Sequence, residues 1–302
     1  MILSTTDSPD ISIIVIGKNV SEYLPYSIPP IIKQSANSNL NISIVFVNDG
    51  STDNTLAVLN SIIGECECHN SNVINVLNNK TSVGPAAARN IGANQSEPEF
   101  YIFLDSDDII DLGYLDTIVH FAYKSSIGIA WGRNIEFGTE VGSAQPVHSH
   151  DIQLIRHRQF LPAGPSNNMI VSAKAFRESG GFPCISKLPG GEDTALCFKV
   201  QLLGYASGQC SDAVVLYRQQ AAPWRAFRQQ FNYGFGAVAV TKMFIDDGIP
   251  VQPFLPGLLK LILSIVSIPI AVLPKYRLQI IGRLGRRIGT AVGAVKLRVF
   301  TL

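Results

Sequence analysis

The sequence predicts an α/β fold: a mostly parallel sheet flanked by helices, followed by a helical region of different character. Three observations carry this expectation. Short β-branched runs recur along the first two thirds of the chain and alternate with segments of helical periodicity. The runs are apolar throughout, as in strands buried on both faces. From about residue 221 the composition turns aromatic, then apolar, then basic. The chain is therefore read as a catalytic-sized body over 10–220 and a helical, apolar and basic region over 221–302. Its 302 residues are 46% hydrophobic and 16% charged, which allows a sizeable core and some apolar surface facing something other than water.

The strands begin with "ISIIVI" (11–16) and "NISIVFV" (41–47), followed by "VINVL" (73–77), "YIFLD" (101–105) and "IGIAW" (127–131). Between 21 and 35, Pro25, Pro29 and Pro30 are expected to break or kink any helix. After "NDGSTDNT", Leu56, Leu59, Ile62 and Ile63 share a helical face; Ser51, Thr52 or Asp53 can cap its start and Gly64 can end it. A second helix is expected from Gly84 to Gln95. The segment 135–165 is polar and weakly periodic, a long loop with a short helix near 151–160. "SNNMIVSAKAFRESGGF" (166–182) gives a strand and then a helix capped by Ser172. "GGEDTALCFKVQLLGY" (190–205) gives a helix with Leu196, Val200 and Leu203 on one face, and "AVVLYR" (213–218) a last strand. Alternation of this kind builds a sheet with helices on its faces.

Two strands run into acids: Phe46-Val47 into Asn48-Asp49, and Phe103-Leu104 into Asp105-Ser106-Asp107-Asp108. In an open parallel sheet, ligands sit beyond the carboxyl ends of the strands, so both acid groups are expected on one edge. Three neighbouring carboxylates repel one another unless a cation joins them. A hard divalent ion, Mg²⁺ or Mn²⁺, suits oxygen ligands and brings substrate phosphates with it. A solvated, helix-capping acid turn would leave the same trace in the sequence.

Four motifs in order, "VNDGSTDNT" (47–55), "GPAAARNIG" (84–92), "FLDSDD" (103–108) and "GGEDTALCFKVQLLG" (190–204), closely resemble the inverting glycosyltransferases of family 2, from about Ile11 to Arg218. The resemblance implies the GT-A fold, a Rossmann-like sheet, and a nucleotide-sugar donor. It implies that the turn containing Asn19 faces the nucleotide, and that Asp49 accepts from the uracil of a UDP-sugar. It further implies that Arg89 serves the base and diphosphate side, and that Asp107 binds the metal with Asp105 beside it, toward the ribose or a metal-bound water. Asp193, preceded by Glu192, matches the family's general base, and helix capping explains the same two acids. "IGKN" (16–19) lacks the proline usual in the family. Asp53 matches an acid common in this family, with capping an equal explanation. The histidines at 148, 150 and 157 are read as solvated loop residues, Trp131 as core, and "CECH" (66–69) as ordinary loop thiols.

The C-terminal region departs from the processive synthases of this family, because "QQAAPWR" (219–225) has the right residues in the wrong order for their Q-x-x-R-W motif. "FRQQFNYGFG" (227–236) instead resembles bacterial members that work at the membrane. Residues 254–274 are nearly all apolar, and 275–302 carry seven cations and no acid. The apolar stretch just reaches the length of a spanning helix, but one crossing would separate the body from the basic tail; a helix lying in the membrane interface, with the tail on anionic lipid, keeps both on the cytoplasmic face. No signal peptide is read at the N-terminus. The expected partners are the donor, a glycan or lipid-linked acceptor and the membrane surface. Nucleic acid is not expected, since the positive charge is confined to the tail. Two other readings stay open: a metal-dependent nucleotidyltransferase, and a non-catalytic module that binds nucleotide or glycan at the membrane.

Overall fold

The computed structural model describes residues 10–67, 74–137, 155–156, 160–184, 190–218, 222–251 and 254–299. In chain order the elements are β1 (Ile11–Gly17), α1 (Leu24–Asn37), β2 (Ile42–Asp49), α2 (Thr55–Glu67), β3 (Ile74–Asn79), α3 (Pro85–Ala93), β4 (Phe100–Asp105), β5 (Ile109–Ile110), α4 (Tyr114–Lys124), β6 (Ile129–Phe137), β7 (Ile155–Arg156), β8 (Pro162–Ala163), β9 (Asn168–Ser172), α5 (Ala173–Glu178), α6 (Glu192–Leu202), β10 (Ser207–Arg218), α7 (Pro223–Met243), α8 (Phe254–Val266), a 3-10 helix (Ile268–Val272) and α9 (Pro274–Leu297). They form two compact units. The first comprises Met1–Leu154, Gly164–Phe182 and Leu196–Arg218, and the second Ile155–Ala163, Pro183–Ala195 and Gln219–Leu302.

The first unit holds an eight-stranded sheet in the order β3-β2-β1-β4-β9-β6-β10-β5. Strands β3, β2, β1 and β4 are parallel. The second half is mixed: β6 is parallel to β10, but β9 is antiparallel to both β4 and β6, and β5 to β10, so the sheet is mostly parallel with antiparallel insertions. Strand β9 begins beside the carboxyl end of β4, where Asn168 pairs with Leu104, and runs back along both β4 and β6. One face of the sheet, carrying Ile11, Ile13, Val15, Phe46 and Leu104, packs with Leu24, Ile28, Leu59 and Ile118 of α1, α2 and α4 into a single buried core. On the other face Tyr101 and Phe103 meet Phe176 of α5, and Phe103 also meets Phe182 edge-on with centroids 4.9 Å apart. Both faces are covered, which is why these strands are apolar without alternation.

Other expectations need correction. Helix α1 forms through Pro29 and Pro30, with Pro25 in its first turn. Each interior proline forfeits a backbone hydrogen bond and costs roughly 3 kcal/mol. Burial of Leu24, Ile28 and Ile31, at about 1.5–3 kcal/mol each, offsets that cost. Helix α2 runs past Gly64 to Glu67. Leu203 lies beyond α6 and is exposed, whereas Leu196 and Val200 are buried. The short helix expected at 151–160 falls mostly outside the described residues; Ile155–Arg156 form a strand paired with Pro162–Ala163. Trp131 is buried, as read. The histidines at 148, 150 and 157, and residues 68 and 69 of "CECH", lie outside the described residues.

In the second unit α7 and α9 lie against each other at backbone contact. A Cβ on Gly234 would collide with the Arg286 carbonyl, and one on Gly289 with the Phe231 carbonyl. The first residues of α6, Glu192 to Ala195, are grouped here with α7. The loop that leads into them, Gly190–Gly191, is pressed on that helix: a Cβ at Gly236 would strike the Gly190 carbonyl. Among the described residues no helix is long and apolar enough to cross a membrane.

Candidate active site

The parallel register of the first unit sets its acids side by side. Gly17 pairs with Asn48 and Ile16 with Asp105, so β2 and β4 deliver Asp49 and Asp105 to the same sheet edge, either side of β1. The turn after β4 is held at several points. Ser106 N–H donates to the Ile16 carbonyl (3.1 Å), Ser27 Oγ donates to the Ser106 carbonyl (2.6 Å), and Asp108 N–H donates to the Asp105 carbonyl (3.3 Å). Immediately beyond, β5 pairs with β10. The Ser106 side chain fills the space where a side chain at residue 17 would go, so the end of β1 must be glycine.

This turn brings carboxylate oxygens of Asp105, Asp107 and Asp108 within 4.8 Å of one another. The three differ in what already holds them. Asp105 Oδ1 accepts from Arg89 Nη2 at 2.6 Å, and that guanidinium also lies over the Phe182 ring, 5.5 Å from its centroid. Asp108 is 4% exposed and accepts from Asn167 Nδ2 and from Arg218 N–H at 3.0 Å. Among the described residues, no side chain donates a hydrogen bond to the Asp107 carboxylate. Burial, and then the charge of Asp105, push its pKa up to about 6 against weaker opposition from its own amide and Arg218. Asp108 is pushed well above the usual carboxylate range by burial and then by Asp107 and Asp105. A cluster of this kind is short of positive charge. Its all-oxygen donor set fits a hard divalent cation.

Asp49 has a structural task that the sequence reading did not foresee. Oδ1 accepts from Val83 N–H (2.8 Å) and Asn79 Nδ2 (3.1 Å), and Oδ2 from Ser82 Oγ (2.7 Å) and Gly84 N–H (3.0 Å). Burial acts to raise its pKa, but these donors prevail and hold it below the ordinary value, so it stays ionised. Four donors fill a carboxylate's acceptor capacity. Asp49 thus shapes the loop that opens α3, and α3 carries Arg89 to Asp105. A donor from a nucleotide base would have to displace one of the four.

Asn19 sits in the left-handed region (φ 55°) and ties the turn after β1 to the loop after β2. Its N–H donates to Ser51 Oγ (2.9 Å) and its Oδ1 accepts from Thr52 N–H (2.8 Å). Asp53 finishes this clasp, accepting from Ser21 N–H and Oγ on one oxygen and from Thr55 N–H and Oγ1 on the other. Burial works the other way, but the hydrogen bonds from Thr55 and Ser21 win and bring its pKa down to about 2.

In the second unit, Glu192 and Asp193 open α6. Glu192 Oε2 accepts from Gly190 N–H at 2.8 Å, and Asp193 Oδ1 accepts from Thr194 N–H at 2.7 Å. Each acid holds a backbone donor at the helix start, as capping requires.

Sequence reasoning missed Asn134, Asn167 and Arg218 altogether. The signal was present: polar residues inside apolar strands, as in "WGRNIEF" and "SNNMIV", want buried partners.

The profile of glycosyl transferase family 2 matches residues 12–179, more than half of the chain. An uncharacterized glycosyltransferase of Haemophilus influenzae is 33% identical over 124 residues, 41% of this chain and 46% of that protein. The minor teichoic acid biosynthesis protein GgaA of Bacillus subtilis is 36% identical over 115 residues, 36% of this chain and 24% of that protein. The chain spans about half the length of the first of the curated relatives it matches. Among solved structures, the mannosyltransferase PcManGT from Pyrobaculum calidifontis, in complex with GDP-Man and Mn²⁺, superposes with a TM-score of 0.59 at 15% identity, covering 98% of this chain and 77% of that one. The Staphylococcus aureus protein TarS gives a TM-score of 0.52 at 20% identity, covering 74% of this chain and 38% of that one. At these identities the likeness is one of fold. A mixed sheet flanked by helices fits the GT-A, Rossmann-like class.

Proposed function

Since the chain belongs to glycosyl transferase family 2, we propose that it moves a sugar from a nucleotide-sugar, a UDP-sugar by preference, to a hydroxyl of a glycan or lipid-linked acceptor at a membrane surface. The observation that carries this reading is the convergence of Asp105, Asp107 and Asp108 at the carboxyl edge of the sheet. Asp107, with Asp105, would hold Mn²⁺ or Mg²⁺. The cation, when bound, neutralises charge growing on the departing nucleoside diphosphate. Arg89 steadies Asp105 and lends positive charge on the diphosphate side. Asn19 and Asp49 shape the nucleotide side of the edge. Asp193 takes the proton of the acceptor hydroxyl as its oxygen attacks the anomeric carbon. The bond to the diphosphate breaks in the same displacement, and the configuration inverts. Relatives support the chemistry by name: one is involved in teichoic acid synthesis, and a structural neighbour holds GDP-Man and Mn²⁺.

The test is a screen of UDP-, GDP- and dTDP-sugars with Mn²⁺ or Mg²⁺, scored by release of nucleoside diphosphate. Release from one donor class, stimulated by metal, is the expected result. Release of pyrophosphate from a nucleoside triphosphate instead would make the chain a nucleotidyltransferase. Binding without turnover of any donor would make it a non-catalytic module.

The membrane part of the proposal rests on α8 and the acid-free C-terminus. Leu259, Ile262, Leu263 and Val266 recur at helical spacing and are 58%, 48%, 58% and 68% exposed. At 13 residues the helix is about 20 Å long, too short for a ~30 Å hydrocarbon core and suited to lying in the interface. From residue 248 onward there are eight Lys or Arg and no acid, a charge that anionic lipid attracts at about 1 kcal/mol per cation. The intact chain should therefore sediment with anionic phosphatidylglycerol vesicles and not with neutral phosphatidylcholine ones, and release with salt. The double change Ile262→Asp and Leu263→Asp should weaken binding by about tenfold or more. Equal binding by parent and variant would remove α8 from the contact.

A further inference from the structure

Behind the acid turn runs a line of buried polar side chains that the proposed chemistry does not use. Tyr114 Oη donates to Asn168 Oδ1 (2.8 Å), Asn168 Nδ2 donates to Asn134 Oδ1 (2.9 Å), Asn134 Nδ2 donates to Asn167 Oδ1 (2.9 Å), and Asn167 Nδ2 donates to Asp108 Oδ2. The four residues come from α4, β9, β6 and the residue before β9, and each is 4% exposed or less. Neighbouring backbone is fitted to the line. A Cβ at Gly132 would collide with the Asn168 amide and the Ala213 carbonyl, so β6 carries a glycine beside that side chain. Opposite it, the pairing of β10 with β6 slips between Gln209 and Val214.

Every link donates in the same sense, toward Asp108. Aligned hydrogen bonds polarise one another, and their positive ends accumulate at the last acceptor. The other oxygen of Asp108 accepts from Arg218 N–H, and Arg218 Nε donates to the Asp107 carbonyl at 3.3 Å. Asp108 is therefore held at both oxygens and faces the interior. Asp107, one residue earlier, is engaged among the described residues by its own amide and by the charge of Arg218. Burying three amides and a phenol in a sheet costs stability wherever one loses its partner, so an apolar core would be the cheaper filling if packing were the whole task.

We propose that Tyr114, Asn168, Asn134 and Asn167 are positioning residues for the metal centre: they fix Asp108 as the back wall of the acid turn, so that Asp107 and Asp105 present their oxygens to the cation. This rests on the metal-dependent reading above. Outer-shell partners of metal ligands typically tune affinity by 10–100-fold when removed, and the effect here is relayed through one more residue.

The test measures Mn²⁺ binding to the intact chain by the loss of free-Mn²⁺ resonance, with thermal melting alongside. Asn167→Ala should raise the Mn²⁺ Kd about tenfold, and Tyr114→Phe, which removes only the far end, about threefold. In donor turnover, the Mn²⁺ concentration for half-maximal rate should rise by the same factors, with the acceptor KM unchanged. Ile118→Val, a trim in the buried face of the same helix as Tyr114, controls for lost stability: it should lower Tm and leave Mn²⁺ Kd within twofold. If the parent binds Mn²⁺ and the folded variants bind it within twofold of the parent, the positioning role is wrong and the metal site stands. A parent that binds no Mn²⁺ overturns the metal site and this inference with it. An equal shift in the Ile118→Val control would mean that the effect follows stability, and would overturn the inference as well.

Discussion

Asp107→Ala should abolish metal-stimulated sugar transfer, lowering kcat/KM by about a thousandfold or more, while leaving the fold intact. The magnitude follows from what the cation supplies. Charge develops on a diphosphate that must leave, and removing one well-placed stabiliser of such charge in a catalytic site commonly costs a hundred- to a thousandfold. Losing the cation removes more than one such interaction. The fold should not suffer, because among the described residues the Asp107 carboxylate accepts from its own amide and from no side chain. Burial and the charge of Asp105 both work against its ionised form. Without metal, Tm should stay level or rise, by about 2–4 °C if relieved repulsion is worth ~1 kcal/mol. Asp108→Ala is the informative contrast: it orphans Asn167 and the Arg218 amide, and should lower Tm as well as activity. Activity measured with Mn²⁺ across a concentration series, with melting curves on the same preparations, separates the two. An Asp107→Ala variant that keeps a tenth of parental turnover, or loses its Mn²⁺ response without losing rate, would show that the acids meet for another purpose.

Much of this edge was legible before any coordinates. Unbroken β-branched runs mark doubly covered strands, and parallel strands must end on the same side, so Asp49 and Asp105 could be placed on one edge from the sequence. Harder to read was anything that depends on distant partners. Pro29 and Pro30 argue locally against a helix, and only the core against which Ile28 and Ile31 pack overrules them. The reversal of β9 depends on which strand it lies beside, which no period within "NMIVS" encodes. Asp49 looked like a ligand-facing acid because it ends a strand; its four donors come from Asn79, the last residue of β3, and from Ser82, Val83 and Gly84 in the loop after it, which has no periodic signal. The asparagine line was the least legible. An amide's partner lies 33 or more residues away at each step among the asparagines, and nothing in the sequence says which buried amide faces which.

Asp193→Asn should lower kcat by roughly a thousandfold, within the 10²–10⁴ range typical of a lost general base, with donor KM and Mn²⁺ Kd within about threefold of the parent. The substitution is chosen for what it keeps. An asparagine Oδ1 still accepts from Thr194 N–H, the 2.7 Å bond that Asp193 makes at the start of α6, so the helix terminus stays capped. What is lost is the ability to take a proton. Glu192 is its natural comparator, because the two acids stand next to each other in the same first turn and both accept backbone donors. Glu192→Gln also preserves its acceptor for Gly190 N–H, and should cost less than about tenfold in kcat if its work is to hold the Gly190–Gly191 loop. Single-turnover transfer, with donor affinity measured in parallel, distinguishes a lost base from a lost substrate. A large fall with Glu192→Gln and a small one with Asp193→Asn would exchange the two roles. Small effects from both would mean that these acids merely cap α6 and that the acceptor proton leaves by another route.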